Sequence, residues 1–282
     1  MPPARLHDGA TVEVTTTGAG PTVLVPARTE VVTGPTAEQM RAWGADPNLG
    51  HTLVTGLADA GFRVVAADYE GHLAAHPKPD TLTATTVAAD LLAIADAAGA
   101  DRFAYYGYSW LALAGLQLAL RTDRLTALAM GGFPPLDGPY PAMLAVTRAT
   151  HRIALGDDAR PPGAQARPGD WESVEVTLGP EQTRQYVTLY ESLRDFDERA
   201  ALDRLTAARL VFAGEDDTIS YGPRWDDARV VIADALLRHR EELEARGWTV
   251  TTVPDADHMA AMQAEAVLPI LIPWLNTTTA QR

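Results

Sequence analysis

The stretch Phe103 to Ala119 reads FAYYGYSWLALAGLQLA: a β-rich run, a glycine, a serine two residues later, then an unbroken helix former. A serine on a tight strand-to-helix turn projects its hydroxyl above a sheet, and the helix N-terminus behind it lends positive potential to a developing oxyanion. Ser109 is therefore a candidate nucleophile. Such a serine needs a histidine base whose other ring nitrogen is held by a carboxylate. Downstream, RLVFAGEDDTI (Arg209 to Ile219) is a strand ending in Gly214 and followed by Glu215, Asp216 and Asp217, for which a solvated acidic turn is the plain alternative. VTTVPDADHM (Val250 to Met259) is a strand and a turn carrying His258, for which a surface histidine beside a helix-capping Asp257 is the plain alternative.

Gly107, Tyr108, Ser109 and Trp110 resemble the G-x-S-x-G elbow of the α/β-hydrolases, with Leu111 standing where that pattern has its second glycine. The serine, the acidic loop and the histidine also follow in the order Ser, Asp, His that this family uses. The resemblance runs from about Thr11 to Leu275. It implies an α/β-hydrolase fold: a mostly parallel central sheet flanked by helices, with a mainly helical cap. The family's acid loop has G-x-x-D spacing, which picks Asp217 over Asp216, and His258 becomes the base. A second oxyanion donor is expected from the loop after the first core strand, here Pro26-Ala27-Arg28-Thr29-Glu30. Pro26 has no amide, so the alignment pairs the Arg28 amide with that of Trp110. The Arg28 guanidinium would bind a substrate carboxylate or pair with Glu30. Asp68-Tyr69-Glu70-Gly71-His72 resembles the family's Asp-x-x-Gly-His turn, which braces loops and implies a structural His72.

The activity implied is a serine hydrolase cleaving a small carboxylic ester, lactone or related acyl compound through an acyl-enzyme. A serine at the elbow argues against haloalkane dehalogenases and epoxide hydrolases of this fold, which use a carboxylate there. Two rivals remain. A proline-iminopeptidase-like amidase shares the Ser-Trp pair but typically continues with glycine. A non-hydrolytic ligand-binding or pathway protein would fit the changed elbow and PARTE loop but has no reason to keep Ser109, Asp217 and His258 together.

The elements that must position these residues are legible as alternation of short apolar runs and Ala/Leu-rich helical stretches, the pattern of a parallel sheet with helices on both faces. Strands are expected at Thr22 to Val25, Phe62 to Ala67, Phe103 to Tyr106, Leu125 to Met130, Arg209 to Ala213 and Thr249 to Val253. Thr83 to Ala98 reads as a crossover helix stopped by Gly99. The rhythm lapses over residues 134–200, where Pro141 to Leu155 and Pro180 to Leu193 read as helices around an irregular Gly156 to Asp170. The domain expectation is thus a core of 1–133 and 201–282 with a cap at 134–200. Trp225 to Arg246 is expected as one long helix, Met259 to Leu275 as a last helix kinked or divided by Pro269 and Pro273, and Thr277 to Arg282 as a frayed tail.

A chain of 282 residues, 46% hydrophobic and 21% charged, can bury one substantial core. A net charge of −14 would repel a phosphate backbone, so nucleic acid is not an expected partner. There is no cysteine, and Lys78 is the lone lysine among arginines. No run of about 18 apolar residues and no basic-then-apolar N-terminus is present, so the expectation is a cytoplasmic protein off the membrane, with a homo-oligomer left open. His51, His76 and His151 lack metal-ligand spacing, and no dinucleotide or phosphate loop is seen, so neither metal nor cofactor is expected and the partner is a small-molecule substrate. Trp110, Tyr140, Trp171, Tyr186 and Tyr190 are candidates for lining an apolar pocket, against the commoner role of core.

Overall fold

The computed structural model describes residues 2–157, Trp171 and residues 175–280. Along the chain run β1 (Ala4–Arg5), β2 (Thr11–Val12), β3 (Thr15–Thr17), β4 (Thr22–Val25), α1 (Gly34–Ala42), α2 (Leu49–Asp59), β5 (Arg63–Ala66), α3 (Tyr69–Ala75) and α4 (Ala84–Ala97). Next come β6 (Phe103–Tyr108), α5 (Trp110–Ala119), β7 (Leu125–Gly131), α6 (Tyr140–Ala154), α7 (Pro180–Glu191), α8 (Glu198–Leu202) and β8 (Ala208–Gly214). The chain then forms β9 (Thr218–Ser220), β10 (Arg229–Val231), α9 (Ala233–Arg238), α10 (Arg240–Ala245), β11 (Trp248–Val253), α11 (His258–Ala261) and α12 (Ala264–Ala280).

The main sheet has seven strands in the order β11-β8-β7-β6-β4-β5-β3, parallel throughout except for β3 at one edge. Because six strands point the same way, their C-terminal ends form one rim, the place where parallel sheets carry their sites. The strands are apolar on both faces, as burial between two layers demands. One face holds Val65, Phe103, Leu128 and Val211 against α4 and α5, and the other holds Val64, Tyr106, Ala129 and Phe212 against α2 and α12.

All six expected core strands are present, with ends shifted by at most two residues. The N-terminal strands β1 to β3 escaped the reading because they are only two or three residues long, whereas helices α1 to α3 occupy helical stretches that the alternation implied without bounds. The expected helix at Trp225 to Arg246 is instead a turn, β10, and the two helices α9 and α10. Asp226 and Asp227 take left-handed φ values of 56° and 51°, a conformation Asp tolerates better than most residues, and Val230 pairs with Ile219 in an antiparallel hairpin. The C-terminal helix breaks at Met262 and Gln263, before either proline. Pro269 and Pro273 sit within α12 on its exposed side, while Val267, Leu271 and Leu275 are buried against the sheet. Of the tail expected to fray, Thr277 to Ala280 continue that helix, and Gln281 and Arg282 lie outside the described residues. The expected loop at Gly156 to Asp170 lies outside the described residues from position 158 onward. No helix among the described residues is long and apolar enough to cross a membrane.

Candidate active site

Ser109 sits between β6 and α5 with φ 56° and ψ −128°, a conformation rare for a residue with a side chain and stored only where the surroundings impose it. Those surroundings are specific. The Ser109 amide donates to the Gly131 carbonyl at 2.8 Å, and the Ser109 carbonyl accepts from Ala112 and Leu113. A Cβ on Gly107 would lie 2.4 Å from the Leu111 carbonyl oxygen, so only glycine lets the helix fold back so tightly. Tyr105 donates its hydroxyl to that same carbonyl at 2.7 Å. Leu111 is accommodated, its side chain buried against the core and lining the cavity above the elbow. Close packing of α5 on the sheet is provided one turn on by Gly115, where a Cβ would meet the Tyr105 ring at 2.3 Å.

Asp217 follows β8 and His258 follows β11, neighbouring strands whose ends lie in register at Gly214 and Val253. His258 Nδ1 lies 2.9 Å and 3.0 Å from the two carboxylate oxygens of Asp217. Asp217 is fully buried whereas Glu215 and Asp216 are exposed, which separates the three acids as the G-x-x-D spacing implied. Burial raises the Asp217 carboxyl above its ordinary range, with the bond to His258 pulling the other way. Its backbone is anchored as well: the Asp217 carbonyl accepts from Ile232 at 3.1 Å and Ala233 at 3.0 Å, so the β9–β10 hairpin returns to hold the residue that begins it. Asp257 does cap α11, accepting from Met259 and Ala260, but His258 beside it is buried rather than a surface residue.

The His258 ring must pass over the end of β7 to approach Ser109, and Gly132 clears the way. A Cβ there would sit 2.9 Å from His258 Cε1 and 2.6 Å from the Tyr108 ring, and its φ of +62° favours glycine in any case. Tyr108 braces the histidine from below, donating its hydroxyl to the His258 carbonyl at 2.9 Å with the rings 5.1 Å apart. Neither residue was singled out from sequence, where Gly131-Gly132 reads only as the end of a strand.

Ser109 and His258 together line two cavities. The larger, about 520 Å³, is bounded by Arg28, Glu70, Trp110 and Met259. The smaller, about 110 Å³, is bounded by Phe133, Met143, Tyr190, Ile219 and Ile232. Of the aromatic candidates, Trp110 and Trp171 line the larger cavity and Trp171 and Tyr190 the smaller. Tyr186 packs edge-on against Trp110, and Tyr140 is core between Phe133 and Phe196.

The Arg28 and Trp110 residues lie at the larger cavity, and among the described residues neither backbone amide donates to another group. The Arg28 loop is set by Gly50 of α2, where a Cβ would fall 2.1 Å from the Arg28 carbonyl oxygen. The Arg28 side chain is exposed, and no ion pair joins it to Glu30 among the described residues. Asp68 caps α3 through the Gly71 amide at 2.9 Å, as the turn implied, and His72 is buried within it. Glu70, given no role of its own in the sequence turn, accepts from the Trp110 indole at 2.6 Å. Surrounded by protein on most sides, its carboxyl is raised by burial, against the pull of the Trp110 bond and with Asp68 adding to the rise, although the cavity keeps it in contact with water.

The strand order, the strained serine after the central parallel strand, and the acid and histidine after later strands are joined by the match of residues 42–132 to the family described as alpha/beta hydrolase fold. The chain has the α/β-hydrolase fold. Among solved structures of that fold, a thermophilic esterase from Thermogutta terrifontis is 18% identical, with 98% of this chain and 97% of that one covered and a TM-score of 0.60. An enol-lactonase from Burkholderia xenovorans is 20% identical over 98% and 100%, with a TM-score of 0.61. A putative non-heme bromoperoxidase from Mycobacterium tuberculosis is 17% identical over 95% and 96%, with a TM-score of 0.64. No curated protein sequence matches the chain.

Proposed function

We propose that this α/β-hydrolase-fold protein is a serine hydrolase acting on small carboxylic esters or lactones. The observation that carries the proposal is Ser109, held at φ 56° at the mouth of two cavities it shares with His258, whose far ring nitrogen is held by buried Asp217. In this reading Ser109 Oγ attacks the carbonyl carbon while His258 Nε2 takes its proton. The oxygen that gains negative charge is received by the amides of Trp110 and Arg28. His258 then gives the proton to the leaving alcohol, and water attacks the acyl-enzyme by the reverse sequence. Asp217 holds the imidazole in the tautomer that leaves Nε2 free to accept. The described parts of residues 134–200 serve as a cap in this reading, since Met143 of α6 and Tyr190 of α7 wall the smaller cavity. Likeness to an esterase and an enol-lactonase supports the ester and lactone classes.

The test is labelling with a fluorophosphonate probe followed by peptide mapping. Modification at Ser109, lost in His258→Ala, is expected. Ser109→Ala should lower ester turnover by on the order of 10⁴ or more with the fold intact. Ester hydrolysis unchanged in the serine variant would sink the triad assignment.

A further inference from the structure

The walls of the larger cavity are chemically lopsided. Asp46, Asp68 and Glu70 line it, and Arg28 is the single Lys or Arg side chain among the described lining residues. Two of the three acids are already employed within the backbone: Asp46 accepts from the Asn48 amide and Asp68 from the Gly71 amide. Glu70 is different. Its one hydrogen bond comes from the Trp110 indole, its nearest charged influence is another carboxylate, Asp68, and no ion pair joins it to Arg28 among the described residues. Among the described residues nothing pairs its second oxygen, and the side chain lines the cavity that Ser109 opens into.

Building on the hydrolase reading, we infer that Glu70 is a specificity-determining residue that selects substrates carrying an organic cation, in the simplest case an ammonium group, on the side of the scissile bond facing the larger cavity. The geometry supplies two attractions for such a group. One is the second carboxylate oxygen, which no Lys or Arg among the described residues pairs. The other is the Trp110 ring, half-buried on the cavity wall and held edge-on by Tyr186 at 5.5 Å. Donating its N–H to a carboxylate makes an indole more electron-rich, which strengthens its attraction for a cation over its face. The arrangement also places selection next to chemistry, because Trp110 is the residue whose amide is assigned to the oxyanion.

The test compares choline with its neutral carbon isostere, 3,3-dimethylbutan-1-ol, two alcohols of the same shape that differ in charge. Binding is followed by saturation-transfer NMR titration, so it needs no turnover and can be run on Ser109→Ala as well as on the wild-type protein. Choline is expected to bind at least tenfold more tightly than the isostere. In Glu70→Gln, which keeps an oxygen to accept from Trp110, that ratio should fall to within about twofold of one. Equal binding of the two alcohols by the wild-type protein, no choline binding at millimolar concentration, or an undiminished ratio in Glu70→Gln each overturns the inference. Fluorophosphonate labelling run in parallel separates the two readings. Labelling at Ser109 without a cation preference leaves the hydrolase standing and removes the selector, whereas a Glu70-dependent preference without labelling does the reverse.

Discussion

The two sides of Ser109 are held in contrasting ways. On the His258 side every participant is buried and tied at more than one point: Asp217 through both carboxylate oxygens and its own carbonyl, His258 through Nδ1 and through the Tyr108 hydroxyl on its carbonyl. On the Arg28 side the backbone is set by the close approach of the Arg28 carbonyl to Gly50 and by the Ala27 amide on the Val25 carbonyl, and the Arg28 and Glu70 side chains are exposed. The closed side suits a group that must keep one tautomer and one orientation through each turnover. The open side suits recognition, where a loop and its side chains can change without disturbing the base.

The largest effect should come from breaking the closed side at its carboxylate. Asp217→Asn keeps the shape but offers an amide N–H to Nδ1, stabilising the wrong tautomer, and an ester kcat lower by on the order of 10⁴ is expected. A loss below tenfold would mean that Asp217 does not orient the base. Smaller effects should follow from adding one carbon on either side. Gly132→Ala forces a left-handed alanine against the His258 and Tyr108 rings, costing roughly 1–3 kcal/mol of stability and disturbing the imidazole. Its marker is a changed His258 Nδ1–H proton resonance in NMR spectra. Gly50→Ala displaces Arg28 at its carbonyl and so disturbs the Arg28 amide proposed to receive the oxyanion, for a kcat loss of about 10² with that resonance unmoved. If Gly50→Ala moves the resonance, the two sides are coupled and the contrast fails.

What could be read from sequence tracks how local each cause is. Ser109 is legible because its strand, glycine and helix are contiguous, and because buried parallel strands are short continuous apolar runs. Asp217 and His258 are legible because each follows such a run at a set distance. Gly50, Gly132 and Tyr108 are illegible because their roles arise only where chain segments distant in sequence meet. The helix expected at Trp225 to Arg246 hid a support of the site, since the apolar spacing of Val230, Ala233 and Leu236 suits a helix while the left-handed Asp226 and Asp227 forbid it. With it went the hairpin whose return anchors the Asp217 carbonyl. Glu70 lay inside a turn that was recognised, but its partner Trp110 is 40 positions away.

The smallest effect concerns the segment that walls the smaller cavity from outside both sides. Glu198, at the start of α8, accepts from the amides of Asp137 and Gly138, so one carboxylate joins the chain leaving β7 to the chain returning toward β8. Burial pushes its carboxyl up to about 7, the two backbone bonds opposing the rise. An unfolded glutamate titrates near 4.3, so between about pH 4.3 and 7 the native state binds the extra proton. Its contribution to stability is therefore greatest at low pH and declines as pH rises through that window. Comparing chemical denaturation of the wild-type protein and Glu198→Gln across the window isolates this group from the other acids. The wild-type stability should fall more steeply with rising pH than that of the variant, and the two slopes should converge above about pH 7. Parallel slopes would show that Glu198 titrates as an ordinary surface acid. Because no hydrogen bond among the described residues joins His258 or Asp217 to Glu198 or its partners, fluorophosphonate labelling at Ser109 should not follow this transition, which makes the clamp a probe of the proposed cap alone.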